Sequence, residues 1–458
     1  MAQSDLPRIL FLTGRLAEPG LRAVLAELAP GRFEPLVHEL GLQVAGLMTA
    51  EMIHRRLPKP TDVARIMVPG RCRGDLAPLA AEYGMPVERG PDELADLPEW
   101  FGGKARRADL SRHAVRLFAE IVDAPKLSVD QIVGRARALA ADGADVIDLG
   151  CLPETPFPHL GEAVRELKRQ GFAVSVDSLA EADLRLAVAS GADHVLSLTE
   201  RTLGIVEGSA TVPVLIPDNG DYQSLVRAVR AMQARGQACY ADPILDPIHF
   251  GFADSLARYQ RLRREFPEQP ILMGIGNVTE LTDADTTGIN AVLFGIISEL
   301  GLNAVLTTAV SPHARRAVRE ADVARRLMFA AKAEGALPRG YTDALLTAHD
   351  RRPFLQDLAQ VRELAGRVRD PSFRVQVTAE GVHVYNRDGL WSGHNPFALY
   401  PRLNLDQDGS HAFYMGVELA RAQIAWRLGK RYTQDRPLDW HVADTAATGP
   451  ADEDSSCQ

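Results

Sequence analysis

Cysteine is scarce. Four occur in 458 residues (Cys72, Cys151, Cys239 and Cys457), none in CxxC spacing, which argues against a zinc site or a disulfide framework. Aromatic residues make up only 6% of the chain and do not interleave with basic ones, and the formal net charge is −9. Nucleic acid is therefore not an expected partner. No apolar run is long enough to span a bilayer, and the opening MAQSDLPRIL lacks the basic-then-apolar build of a signal peptide. No membrane partner is expected, and a reducing cytoplasm is the expected compartment. With 46% hydrophobic and 24% charged residues, the composition is that of a globular protein, and its length calls for two or three domains.

Three regions separate by pattern. Residues 1–104 read as a small α/β domain, with strands over 8–13, 33–40 and 64–68 and a helix over 21–28. The run 90–103, carrying Pro91, Pro98, Gly102 and Gly103, reads as a boundary. Residues 105–340 alternate short β-branched apolar runs with amphipathic stretches. The runs are 117–122, 145–149, 173–176, 194–198, 212–216, 238–240, 271–275 and 304–307. Continuous apolar runs suit strands covered on both faces, and eight such units fit a closed (β/α)8 TIM barrel better than an open, doubly wound sheet. Residues 341–458 read as an α+β domain. It has a helix over 354–368, a hairpin joining 374–378 to 382–386, and a long helix over 411–428 opened by Asp408 and closed by Gly429. The polar tail after Asp444 is expected to be disordered.

In such a barrel the chemistry sits on the loops after the strands. The first strand ends near Asp123. The second gives Asp148 and the loop Gly150-Cys151-Leu152-Pro153-Glu154-Thr155, and the third gives Asp177. The fourth gives Ser197 and Glu200, the fifth Asp218, and the sixth Asp242 and Asp246. The seventh gives Asn277 within Gly274-Ile275-Gly276-Asn277-Val278-Thr279, an amide on glycine-flanked loop backbone. After the eighth come Ser311, His313, Arg315 and Arg316, which suit phosphate. Carboxylates thus converge on one rim, where a ligand or cation must offset their repulsion. A divalent metal is one option, although the absence of a close histidine pair weakens a transition-metal site, and no metal-ligand set is assigned. The other option is a heterocycle with an amino-pyrimidinone edge, whose ring N–H and exocyclic NH₂ lie parallel and suit one carboxylate. Plainer roles stay open: helix caps for Asp148 and Asp177, a turn residue for Asp246, a packed thiol for Cys151, and surface positions for His249 and His313.

These residues carry a family resemblance. Gly143-Ala144-Asp145-Val146-Ile147-Asp148-Leu149-Gly150 and Val174-Ser175-Val176-Asp177-Ser178 resemble the second- and third-strand motifs of dihydropteroate synthases. Ala241-Asp242-Pro243-Ile244-Leu245 and Gly274-Ile275-Gly276-Asn277-Val278 look more like those of pterin methyltransferases. The whole chain is most similar to the dihydropteroate synthase-related proteins associated with tetrahydromethanopterin. The resemblance implies a pterin-binding barrel with Asp148, Asp177, Asp242, Asn277 and Ser197 lining the pocket, and no catalytic base is named. Asp242 is favoured over Asp246, because it lies at the strand end. The asparagine motif that follows the synthases' first strand is replaced here by Glu120-Ile121-Val122-Asp123-Ala124-Pro125, and their Ser-Arg-Lys and Arg-x-His runs are absent.

The implied activity is a dihydropteroate synthase-like transfer. A hydroxymethyl-dihydropterin diphosphate would react with an arylamine, expected to be a ribosylated aminobenzene phosphate, with Mg²⁺ on the diphosphate. The alternatives are a pterin-dependent methyltransferase and a non-catalytic pterin-binding or scaffold subunit. A homodimer is expected, since barrels of this kind pair through outer helices.

Overall fold

The computed structural model describes residues 6–92, 94–102, 109–153 and 155–444; Gly103, Glu154, Cys457 and the tail after Asp444 lie outside them. The chain divides into two compact units, Met1–Thr342 and Asp343–Gln458.

The first unit opens with a four-stranded parallel sheet. Its elements are β1 (Arg8–Thr13), α1 (Glu18–Leu28), β2 (Glu34–Glu39), α2 (Ala50–Arg56), β3 (Arg65–Val68), α3 (Ala77–Tyr83) and β4 (Val87–Arg89). The strand order is β2-β1-β3-β4, so the connections leave β1 in opposite directions. The stretch read as a boundary is more structured than expected: it holds a short helix, α4 (Leu97–Trp100), whose Leu97 is buried. Leu97 packs in the same apolar cluster as Phe11, Leu21, Val24 and Met67, and that burial is what orders it.

The eight expected strands follow. They are β5 (Arg116–Ile121), β6 (Val146–Gly150), β7 (Ala173–Asp177), β8 (His194–Leu198), β9 (Val212–Leu215), β10 (Tyr240–Ala241), β11 (Leu272–Gly274) and β12 (Ala304–Thr307). All neighbouring pairs are parallel, in the order β10-β9-β8-β7-β6-β5-β12-β11. A parallel bridge from Ala241 to Ile271 closes the ring. This is a (β/α)8 barrel. Between the strands run α5 (Val129–Ala141), α6 (Leu160–Arg169), α7 (Glu181–Ala189), α8 (Tyr222–Ala234), α9 (Phe252–Glu265), α10 (Gly276–Thr279) and α11 (Thr286–Leu300), and α12 (Ala317–Ala333) follows β12. The β8–β9 link has only a 3₁₀ turn, Leu203–Val206.

The barrel interior is an apolar layer to which every strand contributes, including Phe118, Val146, Leu196, Val214, Tyr240 and Leu272. Side chains alternate along a strand, so the residue two positions later faces the same way, one level nearer the C-terminal mouth. Two residues after Phe118 is Glu120, after Val146 is Asp148, and after Tyr240 is Asp242. Strand periodicity thus stacks carboxylates directly above a hydrophobic plug.

In the second unit, α13 (Leu358–Arg367) precedes an antiparallel sheet of β13 (Arg374–Thr378), β14 (Gly381–Asn386) and β15 (Gly389–Gly393). The hairpin is where the sequence places it; the third strand is an addition. After α14 (Pro396–Leu399), helix α15 (Gly409–Leu428) begins at Asp408, whose side chain accepts the His411 N–H. It stops at Gly429, whose φ of +65° is accessible to glycine at little cost.

Candidate functional site

Three carboxylates meet at the mouth. Glu120, Asp148 and Asp177 each place an oxygen within 4.8 Å of the others. Register brings this about: Glu120 pairs with Asp148 across β5–β6, and Asp177 with Gly150 across β6–β7. Gly150 makes the space, since a Cβ there would collide with the Glu120 carboxylate and sit 3.1 Å from the Val122 Cα. Asp148 is fully buried. One of its oxygens accepts the Ser175 hydroxyl, and the other, Oδ2, has no hydrogen-bond partner. An unpartnered buried carboxylate oxygen is costly, and Oδ2 stays open to a donor.

The electrostatics follow from burial and crowding. Burial, then the Asp177 charge, pushes Glu120 up to about 7. Asp177 rises to about 6 through burial and the Asp242 charge. Asp148 is driven well above the usual carboxylate range by burial, with Asp177 and Glu120 adding to it. Asp242 is raised to about 6 by burial, against the pull of its hydrogen bonds to Tyr259 and Ile244 and of the Arg258 charge.

Other rim carboxylates are neutralised. Asp123 pairs with Arg135, Glu200 with Arg227, Asp218 with Arg201 and Asp246 with Arg258. Among the described residues, no Lys, Arg or His forms an ion pair with Glu120, Asp148, Asp177 or Asp242. That difference separates the four from the ordinary surface acids that also end strands.

The two strand-6 aspartates have distinct surroundings. Asp246 belongs to a loop clamp, in which Arg258 reaches its Oδ2 at 2.6 Å and the carbonyls of Pro243 and Ile244 at 3.1 and 2.9 Å. Asp242 Oδ1 receives the Ile244 N–H, and Ile244 sits at φ +67°, strained for a β-branched residue. Strain of that kind persists where a neighbouring site over-determines the backbone.

Several expected residues are placed differently. Asn277 is not in a loop but in the first turn of α10, where its amide NH₂ donates to the Leu245 carbonyl at 2.8 Å. The short GNVT helix forms because the N–H groups of Val278 and Thr279 find the Ile275 carbonyl. His313 turns its ring to the Thr279 carbonyl at 3.1 Å, tying together the loops after β11 and β12. Arg316 is the N-cap residue of α12, and Arg315 next to it is exposed. Ser197 is half-buried in β8, where the pairing to β9 slips between Val195 and Leu198. Neither Asp148 nor Asp177 caps a helix; α6 and α7 begin after His159 and Ala180. Burial pushes the Cys151 thiol up to about 12, which makes it a poor nucleophile.

Glu120 is the residue that the sequence reading passes over. The reading takes Asp123 as the end of the strand, whereas β5 stops at Ile121 and Asp123 turns to Arg135. An acid two positions after an interior Phe118 was the available signal. With Glu120 included, the barrel mouth holds an oxygen-only group of three carboxylates, a donor set chemically closer to that of a hard cation than to that of zinc.

Comparison with known proteins adds the following. Residues 7–92 match a family of unknown function (DUF6513). Over 95% of its length the chain is 25% identical to an uncharacterized protein of Methanocaldococcus jannaschii, of which 99% is covered. Solved dihydropteroate synthases align over half of the chain. That of Vibrio fischeri ES114 is 15% identical, covering 49% of this chain and 94% of its own, with a TM-score of 0.39. That of Xanthomonas albilineans, in complex with 7,8-dihydropteroate, is 21% identical over 50% and 95%, with a TM-score of 0.37. No helix among the described residues is long and apolar enough to cross a membrane.

Proposed function

We propose that the barrel mouth binds a reduced pterin through its amino-pyrimidinone edge and that the protein is a dihydropteroate synthase-like transferase. The observation that carries this reading is the unpartnered Oδ2 of Asp148, fully buried beside Glu120 and Asp177. The ring N–H and exocyclic NH₂ of a pterin are donors without charge, and they would satisfy that oxygen and its neighbours at once. The strand-end motifs around Asp148, Asp177, Asp242 and Asn277 support the same choice.

In the proposed reaction the arylamine nitrogen attacks the pterin methylene. The C–O bond to diphosphate breaks as the C–N bond forms, and the amine proton goes to solvent or to a rim carboxylate. Positive charge would gather on the pterin as diphosphate leaves, and Asp148, Asp177 and Asp242 would stabilise it. Mg²⁺ would screen the departing diphosphate. If it were held by the protein instead, Glu120, Asp148 and Asp177 are the candidate ligands, in competition with the pterin. Arg315, exposed after β12, is the cation we assign to the diphosphate, with Arg316 and His313 beside it in sequence. The finer proposal is that the amine is a ribosylated aminobenzene phosphate and the product a precursor of tetrahydromethanopterin. A second reading, methyl transfer from a methylated pterin, is favoured by the position of Asn277 after β11.

The test is diphosphate release from hydroxymethyl-dihydropterin diphosphate with Mg²⁺, comparing p-aminobenzoate with the ribosylated aminobenzene phosphate. Release dependent on one amine supports the synthase reading and names the nucleophile. Pterin binding without release, followed by transfer of a labelled methyl group, would replace it with the methyltransferase reading. Binding alone would leave a pterin-binding subunit.

A further inference from the structure

The first unit contains a second concavity, remote in sequence from the carboxylates and of different character. It encloses about 490 Å³ at the C-terminal ends of β1 and β3, reaching from Thr13 to Val68 and Pro69. In the order β2-β1-β3-β4 this is where successive connections diverge. Open parallel sheets bind ligands in the crevice at such a switch point.

Packing of the loops shows why the crevice stays open. After β1 the chain leans toward β2: Arg15 and Leu16 donate to the carbonyls of Leu42 and Gln43, and a Cβ on Gly14 would lie 2.7 Å from the Ala45 nitrogen. After β3 it leans toward β4, with a Cβ on Gly70 falling 2.6 Å from the Pro91 carbonyl carbon. The two loop pairs therefore part over the β1–β3 seam. A roof spans the gap, because residues 44–49 cross to the β3 loop, where Arg73 N–H donates to Met48 and Arg73 accepts from Ala50. Leu94 and Ala336 close the side, packed against Gly20 of α1.

The lining has two parts. Phe11, Leu21, Val24, Met67 and Leu97 form an apolar inner wall that joins the core. At the mouth, Leu16, Val44, Leu47 and Leu337 are exposed apolar residues. Among the described residues, Arg71, Arg73, Arg339, Asp92 and Glu334 line the cavity, and the exposed Arg73 side chain forms no ion pair or hydrogen bond among those residues. A guanidinium beside an apolar wall suits an acid group on the ligand. The volume lies within the range of about 300–1,000 Å³ typical of small-molecule sites, which are likewise apolar with a few placed polar groups.

We propose that this cavity is a second ligand site, independent of the barrel mouth, for a small organic anion with a flat aromatic or aliphatic body. The body lies against Phe11, Val24 and Met67, and the acid group faces Arg73.

The test titrates the full chain with two fluorescent probes, anionic anilinonaphthalene sulfonate and neutral phenylnaphthylamine. One saturable site per chain is expected for both. Ala17→Trp and Val44→Trp fill the space from opposite sides, and each should abolish it. Arg73→Glu should weaken the anionic probe by roughly fivefold or more while moving the neutral one by less than about twofold. Asp148→Asn, which disables the barrel mouth, should leave both probes bound. Saturable binding that survives either folded filling variant overturns the site. Equal responses of the two probes to Arg73→Glu overturn the anionic class, and loss of binding in Asp148→Asn overturns the independence from the pterin reading.

Discussion

Tyr259 of α9 donates its hydroxyl at 2.5 Å to the same Asp242 oxygen that receives the Ile244 N–H at 2.7 Å. Both local donors are thus spent on Oδ1, and Oδ2 is turned toward Gly274, where a Cβ would come to 3.9 Å. A helix behind the barrel wall thereby aims one carboxylate oxygen at the mouth. Tyr259→Phe leaves the acid in place but unheld. Pterin affinity should fall by roughly three- to tenfold, and stability by about 1–2 kcal/mol for the lost buried hydrogen bond. Titration calorimetry and urea unfolding measure the two effects; a loss of stability with unchanged affinity would reduce Tyr259 to a packing residue.

Asp242 and Asp246 are four residues apart and chemically alike, yet their neighbours assign them different tasks. Asp242→Asn should weaken pterin binding by at least about tenfold, or about 1.4 kcal/mol. Asp246→Asn breaks a half-exposed pair with Arg258, so it should cost about 1 kcal/mol of stability and leave affinity within about twofold. The reverse pattern in calorimetry would move the pterin contact to Asp246.

The carboxylate cluster destabilises the fold at neutral pH. Glu120 is raised from 4.5 to about 7, so between those values the folded chain binds more protons than the unfolded one. Stability therefore falls as pH rises through that window, and Asp177 and Asp242, raised to about 6, act in the same direction. Glu120→Gln removes the group that must ionise. It should stabilise the protein by on the order of 2 kcal/mol near pH 8 and by almost nothing near pH 4. Thermal melts at both pH values check this, and a variant that is destabilised at high pH would show that the cluster already holds a compensating cation.

Gly150 leaves room for the Glu120 carboxylate. Gly150→Ala should push that side chain out of the cluster. The Val122 Cα, 3.1 Å from the new methyl group, has less freedom to move, so a stability loss of about 1–3 kcal/mol is also expected. Pterin affinity should drop more than in Glu120→Gln, because the backbone of β6 beside Asp148 shifts as well. Equal affinities in the two variants would show that Gly150 acts only through Glu120.

Much of the architecture was legible before any coordinates. Buried parallel strands are continuous apolar runs, so 117–122, 145–149, 173–176, 194–198 and 304–307 announce themselves; Asp148 and Asp177 lie at the ends of two of them, and Asp242 follows the shorter run 238–240. The short β10 and the α10 turn were harder, since two strand residues or one helical turn leave no period to detect.

What the sequence determined by itself is periodicity: where each strand runs, which residues lie near its C-terminal end, and therefore that acids from several strands share one rim. Tertiary structure decided which of those acids are compensated. Arg135, Arg227, Arg201 and Arg258 come from other elements to neutralise Asp123, Glu200, Asp218 and Asp246, while Glu120, Asp148, Asp177 and Asp242 are left without ion pairs among the described residues. The physical reason is range. Side-chain alternation is a property of neighbours along the chain, whereas charge compensation and desolvation depend on groups brought within a few ångströms by the closed barrel.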